Sequence, residues 1–383
     1  MAAFWCKLLP GPGKTPQERS GLIRPEKQRR WRLLQVESAL ACNLRCVMCP
    51  WKDMRANASH RGIMAQETWE AVRPHLSEIL SVDFTGGGEP LLQPRLAEWI
   101  GDAKAAGCET GILTNGLLLN EERARLLIDA GLDWLCVSID AASKEEYERI
   151  RIGSNFETVC QNLANVSKFR SRRVPETMIN FVMMAANFHQ LKDMVRLAER
   201  LGVDQVNFKQ CEVSRGEHGK ARGLFGREES REIRRFRKEV AAARALAARL
   251  SIRTTASGFT PEEQPVCDQD PRDSAFVRAD GLVSPCINLS YGGLTTFLGR
   301  EVVLPFEHYG RLPDRDLLEL WEADACRSYR ERFQERARTY ESSFLASLMG
   351  GTFPTPERLR EEAAKKMPEA PEGCRVCHYL YGL

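Results

Sequence analysis

Between Trp31 and about residue 215 short apolar runs alternate with amphipathic stretches, and this alternation restricts the possible folds more than any single residue does. Strands are expected at 33–38, 80–84, 109–113, 133–139, 177–184 and 204–209, with helices near 66–79, 92–106, 120–130, 143–169 and 188–201. Strands separated by helices of this length read as βαβ units around a parallel sheet. Asn120, ahead of Glu121 and Glu122, reads as a helix N-cap with acids in the first turn, and Gly131 as the stop. Residues 1–30, with Pro10, Gly11, Pro12, Gly13, Pro16 and Pro25, are expected to form a poorly ordered leader.

Composition narrows the function classes. Lys and Arg total 55 against 52 Asp and Glu, so a net charge of +3 gives no reason to expect nucleic acid. No apolar run approaches a membrane span, and the first ten residues are too short and too weakly apolar for a signal peptide. A cytoplasmic location is the expectation. Thirteen cysteines are many for that compartment, and an odd number cannot all pair. The clustered ones read as metal ligands. Cys6, Cys108, Cys136, Cys160, Cys211 and Cys326 read as small buried hydrophobes.

The densest cluster is Cys42-Asn43-Leu44-Arg45-Cys46-Val47-Met48-Cys49, directly after the first strand. Three thiolates are one too few to saturate a four-iron cluster or to close a structural zinc site. An incomplete set leaves an open position, where chemistry can occur. One βα unit later stands Thr85-Gly86-Gly87-Gly88-Glu89-Pro90, where glycines permit positive φ and a close approach of ligand to backbone.

Cys-x3-Cys-x2-Cys followed by Gly-Gly-Glu-Pro resembles the radical S-adenosylmethionine (SAM) superfamily. The resemblance implies an α/β fold, an open (β/α)6 partial TIM barrel over residues 31–215. It implies a [4Fe–4S] cluster on Cys42, Cys46 and Cys49, SAM on the fourth iron, and Gly87, Gly88 and Glu89 at the SAM amino group. Polar residues at strand C-termini line the site in barrel folds, so Thr114, Asn115, Ser138 and Asp140 are candidate ribose or carboxylate contacts. Their bland alternative is a turn and a strand end. Arg151 resembles an arginine aimed at the SAM carboxylate, with an exposed helix arginine as the rival reading. Met48 stands where many members carry an aromatic residue against adenine, and a thioether can still cover a purine face.

Residues 216–255 read as a linking amphipathic helix, with Ile233, Phe236, Val240, Ala243, Ala247 and Leu250 at steps of three and four. From 256 to 383 a smaller α+β domain follows, with a hairpin around Ala279-Asp280-Gly281 and with Cys267, Cys286, Cys374 and Cys377. It looks like the twitch half of a SPASM domain, which implies one auxiliary [4Fe–4S] cluster on those four cysteines. Zinc fits the same count, and a zinc-binding structural or interaction protein is the reading from another class. Cys326 is a substitute for Cys267, and His378 a possible ligand or neighbouring donor.

The resemblance implies reductive cleavage of SAM to a 5′-deoxyadenosyl radical that abstracts a substrate hydrogen. The auxiliary cluster then takes up the remaining electron, and a flavodoxin or ferredoxin supplies reducing electrons. Sulfatase-maturing relatives carry an aspartate base after the cysteine matching Cys286, where this chain has Ile287. Asp268, Asp270, Asp273, Glu307 and His308 are alternative bases. With no winged-helix peptide-recognition domain ahead of the barrel, a small biosynthetic metabolite is expected before a ribosomally made peptide. Residues 327–366 read as an insertion, either a substrate lid or an inert helix and loop.

Overall fold

The computed structural model describes residues 29–50, 62–211, 231–349 and 355–383. The expected leader lies almost wholly outside them.

All six expected strands form, each within two residues of its expected ends: β1 (Trp31–Val36), β2 (Ile79–Asp83), β3 (Glu109–Thr114), β4 (Trp134–Ser138), β5 (Glu176–Met183) and β6 (Gln205–Gln210). They pair parallel in sequence order. The helices between them bury one face each. Pro74 ends α1 (Gln66–Val72) in a 3-10 turn, and Pro94 delays α2 (Leu96–Ala105), because proline lacks the N–H that a helix interior needs. Trp69 of α1 stacks on Trp99 of α2 at 5.2 Å, closing the outer layer over β2. Asn120 caps α3 (Glu121–Asp129) as expected, accepting from Arg123 N at 3.0 Å. The single helix expected over 143–169 is two, α4 (Lys144–Ile150) and α5 (Phe156–Phe169). Gly153 takes φ +93°, which breaks the helix, and Asn155 starts the next by accepting from Thr158 N at 2.8 Å. The unit after β5 is α6 (Leu191–Arg200).

The segment expected as a linker continues the barrel instead. Helix α7 (Arg231–Arg249) buries Phe236, Val240, Ala243 and Ala247, and Phe236 meets Phe188 at 4.2 Å. It leads into β7 (Arg253–Ala256), an unexpected seventh strand parallel to β6. A strand of four residues, Arg-Thr-Thr-Ala, carries too little apolar pattern to be read from sequence.

The expected hairpin is β8 (Ser274–Val277) and β9 (Leu282–Ser284), with Gly281 at φ +87° in its turn. It adds to the barrel sheet, since β8 lies parallel to β1 with Leu33 opposite Ser274. Antiparallel β12 (Gly310–Arg311) extends this edge, giving the order β12-β9-β8-β1-β2-β3-β4-β5-β6-β7. Among the described residues the parallel part therefore holds eight strands and stays open, since β7 and β8 do not pair. A separate hairpin, β10 (Gly293–Phe297) with β11 (Arg300–Leu304), and three helices, α8 (Leu317–Glu322), α9 (Asp324–Met349) and α10 (Pro356–Ala364), complete the chain.

Candidate functional site

The loops leaving the C-terminal ends of β1 to β6 surround one open cavity. Its wall contains every residue singled out around the first cysteine cluster: Cys42, Cys46, Met48, Cys49, Gly87, Gly88, Glu89, Thr114, Ser138 and Arg151. Asn115 lines it too, whereas Asp140 does not.

The cysteine loop is fixed through its backbone. Arg45 N and Val47 N donate to Ile152 O and Ile150 O at 2.9 Å, and Asn115 Nδ2 donates to Asn43 Oδ1 at 2.8 Å. Arg151, at the end of α4, donates to Asp140 Oδ2 at 2.7 Å, while Asp140 Oδ1 accepts from Val182 N at 2.7 Å. Asp140 is therefore a buried anchor for the arginine and makes no wall contact of its own. Another guanidinium nitrogen of Arg151 faces Cys46 Sγ at 3.8 Å, so the arginine is neither exposed nor idle. Burial pushes the free Cys46 thiol up to about 12, against the pull of Arg151. Such a sulfur becomes thiolate when a metal takes the proton's place.

The glycines act differently from expectation. Gly86 and Gly88 have no positive φ. Their missing side chains make room: a Cβ on Gly86 would sit 2.2 Å from Glu37 Cγ, and one on Gly88 would sit 2.3 Å from Ala41 O. Glu89 is buried, and its carboxylate accepts from Thr114 Oγ1 at 2.5 Å, Asn115 N at 2.8 Å and Leu91 N at 3.1 Å. Burial raises its pKa, and these donors oppose the rise. Glu89 thus ties the glycine loop to the end of β3, and the Thr114 hydroxyl is already engaged. Ser138 lines the cavity at the end of β4. Sequence reasoning missed Asn180, Lys209 and Gln210 in the wall, and Cys211, expected only as a core filler, lines it as well. Position at the ends of β5 and β6 was the available signal.

Cys267, Cys286, Cys374 and Cys377 meet around a second cavity of about 390 Å³, with Gln269, Asn288 and apolar residues in its wall. Burial pushes the Cys286 thiol up to about 12 and raises Cys267 and Cys374 well above the ordinary thiol range. Asn288 Nδ2 donates to Cys377 Sγ at 3.6 Å. Cys326 lies apart, fully buried in the main core. His378 is buried rather than on the surface. It packs edge-on against Phe297 at 5.1 Å, and burial lowers its pKa to about 4, so it is neutral. None of the twelve described cysteines forms a disulfide. Among the described residues, no three His, Cys, Asp or Glu side chains converge on one point as a single metal ion requires.

Helix α9, which opens the stretch expected as an insertion, packs against the second thiol set. Phe333 of α9 packs with Cys286 and Cys374, and Arg336 donates to Pro265 O at 3.1 Å, Gln264 O at 3.0 Å, Glu263 Oε1 at 2.7 Å and Pro368 O. It thereby stitches together the two segments that carry the outer cysteines. Ile287, beside Cys286, packs against Phe276, Cys49 and Tyr291, forming part of the wall between the two thiol sets. Of the candidate bases, Asp268 feels Lys209 of the first cavity and its pKa is raised to about 7 by burial, while Asp270 is paired with Arg272 and Asp273 with Arg32.

Residues 36–198 match the model of the radical SAM superfamily. The chain belongs to the radical SAM superfamily. Over 298 residues it is 24% identical to the tungsten-containing aldehyde ferredoxin oxidoreductase cofactor-modifying protein of Pyrococcus furiosus, covering 76% of this chain and 81% of that one. It is 30% identical over 177 residues to the PqqA peptide cyclase of Gluconobacter oxydans, covering 45% of this chain and 47% of that one, so it spans about half of that relative. Streptococcus suis SuiB, crystallised with S-adenosylmethionine, shares the fold at a TM-score of 0.58 and 15% identity, covering 79% of this chain and 68% of SuiB. By that family match the chain is a radical SAM enzyme, with a [4Fe–4S] cluster and SAM as its cofactors. No helix among the described residues is long and apolar enough to cross a membrane.

Proposed function

We propose that Cys42, Cys46 and Cys49 hold this radical SAM enzyme's cluster and that the chain oxidises a small biosynthetic metabolite. The observation that carries the reading is convergence: three half-buried thiols, a glycine segment and an anchored arginine share one cavity at the strand ends. Three thiols supplied by one loop leave one iron of a four-iron cluster open. When bound, the cluster and SAM supply one-electron cleavage of the sulfonium to methionine and a 5′-deoxyadenosyl radical, which takes a hydrogen atom from the substrate.

The chain's own residues prepare this chemistry by positioning. The loop at Gly87, Gly88 and Glu89 forms the floor for the SAM amino group, and Met48 covers a purine face. Ser138 offers a hydroxyl to the ribose, a task for which Thr114 is less suited because its hydroxyl serves Glu89. Arg151, set by Asp140, directs positive charge toward Cys46 and toward an adjacent carboxylate. The enclosing strand ends exclude water and fix the reacting atoms.

Cys267, Cys286, Cys374 and Cys377 suit an auxiliary [4Fe–4S] cluster, which would take up the single electron left on the substrate. By count the four thiols around this cavity suit a zinc ion as well, and the redox chemistry of the neighbouring first site favours the cluster. An external one-electron donor such as a flavodoxin or ferredoxin completes the proposal. A second reading, modification of a peptide, is favoured by the likeness to a peptide cyclase.

The test is anaerobic reconstitution followed by dithionite and SAM. Roughly eight iron and eight sulfide per chain are expected, with 5′-deoxyadenosine formed. Absence of the nucleoside, or its persistence when the three cysteines of the triplet are replaced together by alanine, overturns the assignment. Transfer of deuterium to 5′-deoxyadenosine from carbon-deuterated metabolites rather than from carbon-deuterated peptide separates the two substrate readings.

A further inference from the structure

Glu37 stands at the end of β1, five residues ahead of Cys42, and is completely buried. A carboxylate with no access to water is costly unless it is fully bonded. Its Oε1 accepts from Gly87 N at 2.7 Å, in the middle of the glycine loop. Its Oε2 accepts from Ala279 N at 3.0 Å, in the turn between β8 and β9, and from Tyr291 Oη at 2.6 Å. One side chain therefore joins the glycine loop to two points of the C-terminal region.

The far end of this clasp is itself fixed. The Arg278 guanidinium lies 4.8 Å from the centre of the Tyr291 ring, donates to Ser290 O at 2.9 Å and pairs with Asp280. Ser290 N donates in turn to Cys286 O at 3.0 Å. Gly86 presses on the near end, where no side chain fits beside Glu37. The glycine loop is thus shaped from below by a carboxylate whose own position is set by residues from 278 to 291.

We infer that Glu37 is a positioning residue for SAM, held by Tyr291 and Ala279, so that the C-terminal region sets the geometry of the glycine loop. Glu37 does not itself line the cavity. It acts through Gly87, whose N–H it holds, fixing the peptide plane shared with the Gly86 carbonyl. The inference rests on the reading of residues 86–89 as the SAM cradle.

The experiment uses the full chain, reconstituted, with Glu37→Gln and Tyr291→Phe. Hydrogen exchange is followed in the peptide spanning residues 84–89, and SAM affinity from the change that SAM causes in the electron paramagnetic resonance spectrum of the reduced cluster. Loss of one bond to a buried carboxylate changes an equilibrium about tenfold. Tyr291→Phe, some 200 residues away in sequence, is expected to speed exchange at Gly87 and weaken SAM binding by that order, and Glu37→Gln by more. Should Glu37→Gln not fold, Tyr291→Phe alone decides, because it removes one oxygen and keeps the ring. Unchanged exchange at residues 84–89 overturns the clasp, and faster exchange with unchanged SAM affinity overturns the positioning role. Failure of the unaltered enzyme to bind SAM would instead overturn the cradle reading beneath it.

Discussion

The two sets of thiols in this chain occupy opposite kinds of environment. The triplet Cys42, Cys46 and Cys49 sits at a cavity mouth, half-buried, beside the charge of Arg151 and among loops pinned by Asn115, Asp140 and Glu89. The tetrad Cys267, Cys286, Cys374 and Cys377 sits in a mostly apolar chamber whose polar neighbours include the Asn288 amide. An exchangeable ligand needs an entrance, a counter-charge and fixed dipoles, all of which the first region has. A group meant to stay in place and pass electrons needs shielding and a full complement of ligands, and the second region provides those. Rigidity also comes from different sources: backbone hydrogen bonds at strand ends in one, a helix bolted across the chamber in the other.

The comparison can be broken most sharply by replacing Cys42, Cys46 and Cys49 with alanine. Iron is expected to fall from roughly eight to roughly four per chain, with 5′-deoxyadenosine at background. Nucleoside formed at the unaltered rate would move the chemistry to the tetrad. The reverse experiment is Arg336→Met. Taking a buried guanidinium from the acceptors that hold it is expected to cost about 3–5 kcal/mol, read as a lower unfolding midpoint together with loss of the auxiliary iron. SAM cleavage should persist, and its loss would mean that Arg336 supports the first site as well as the second.

These two experiments also show what the sequence could and could not reveal. The cysteine spacings were readable because sulfur's ligand chemistry depends on residue type, and a parallel α/β layer was readable because strand and helix have different apolar periods. Arg336 was not, since on the sequence it is one more arginine among many on a charged helix. Its burial follows from where residues 263–265 and 368 come to lie. Glu37 shares that invisibility, because its partners stand 50 or more residues away, whereas Asp140 was singled out as a ligand contact and is instead the anchor of Arg151. Gly86 and Gly88 were found for the wrong reason: the loop needs space there rather than a left-handed backbone. The helix over 231–249 misled because an amphipathic period does not say which surface it covers.

Smaller effects sharpen the contrast. Asp140→Asn leaves Arg151 without its charged partner, and SAM affinity is expected to drop about tenfold, for a charge-assisted bond of about 1.5–3 kcal/mol, measured by equilibrium binding. The mildest change is Asn288→Ala, which removes the amide proton donated to Cys377. Hydrogen bonds to cluster sulfurs stabilise the reduced state, so the auxiliary potential is expected to become more negative while the other cluster's stays put. Redox titration followed by electron paramagnetic resonance separates the two signals.

The parallel pairing of β1 with β8 has a consequence for how the molecule is made. When β1 leaves the ribosome one of its edges has no neighbour until Ser274 to Val277 are synthesised, some 240 residues later. At about 5–20 residues per second, that leaves an unpaired row of amides and carbonyls waiting roughly 10–50 seconds. Nascent chains of this protein therefore pass through a long interval in which chaperone capture of the first strand competes with sticking to other chains.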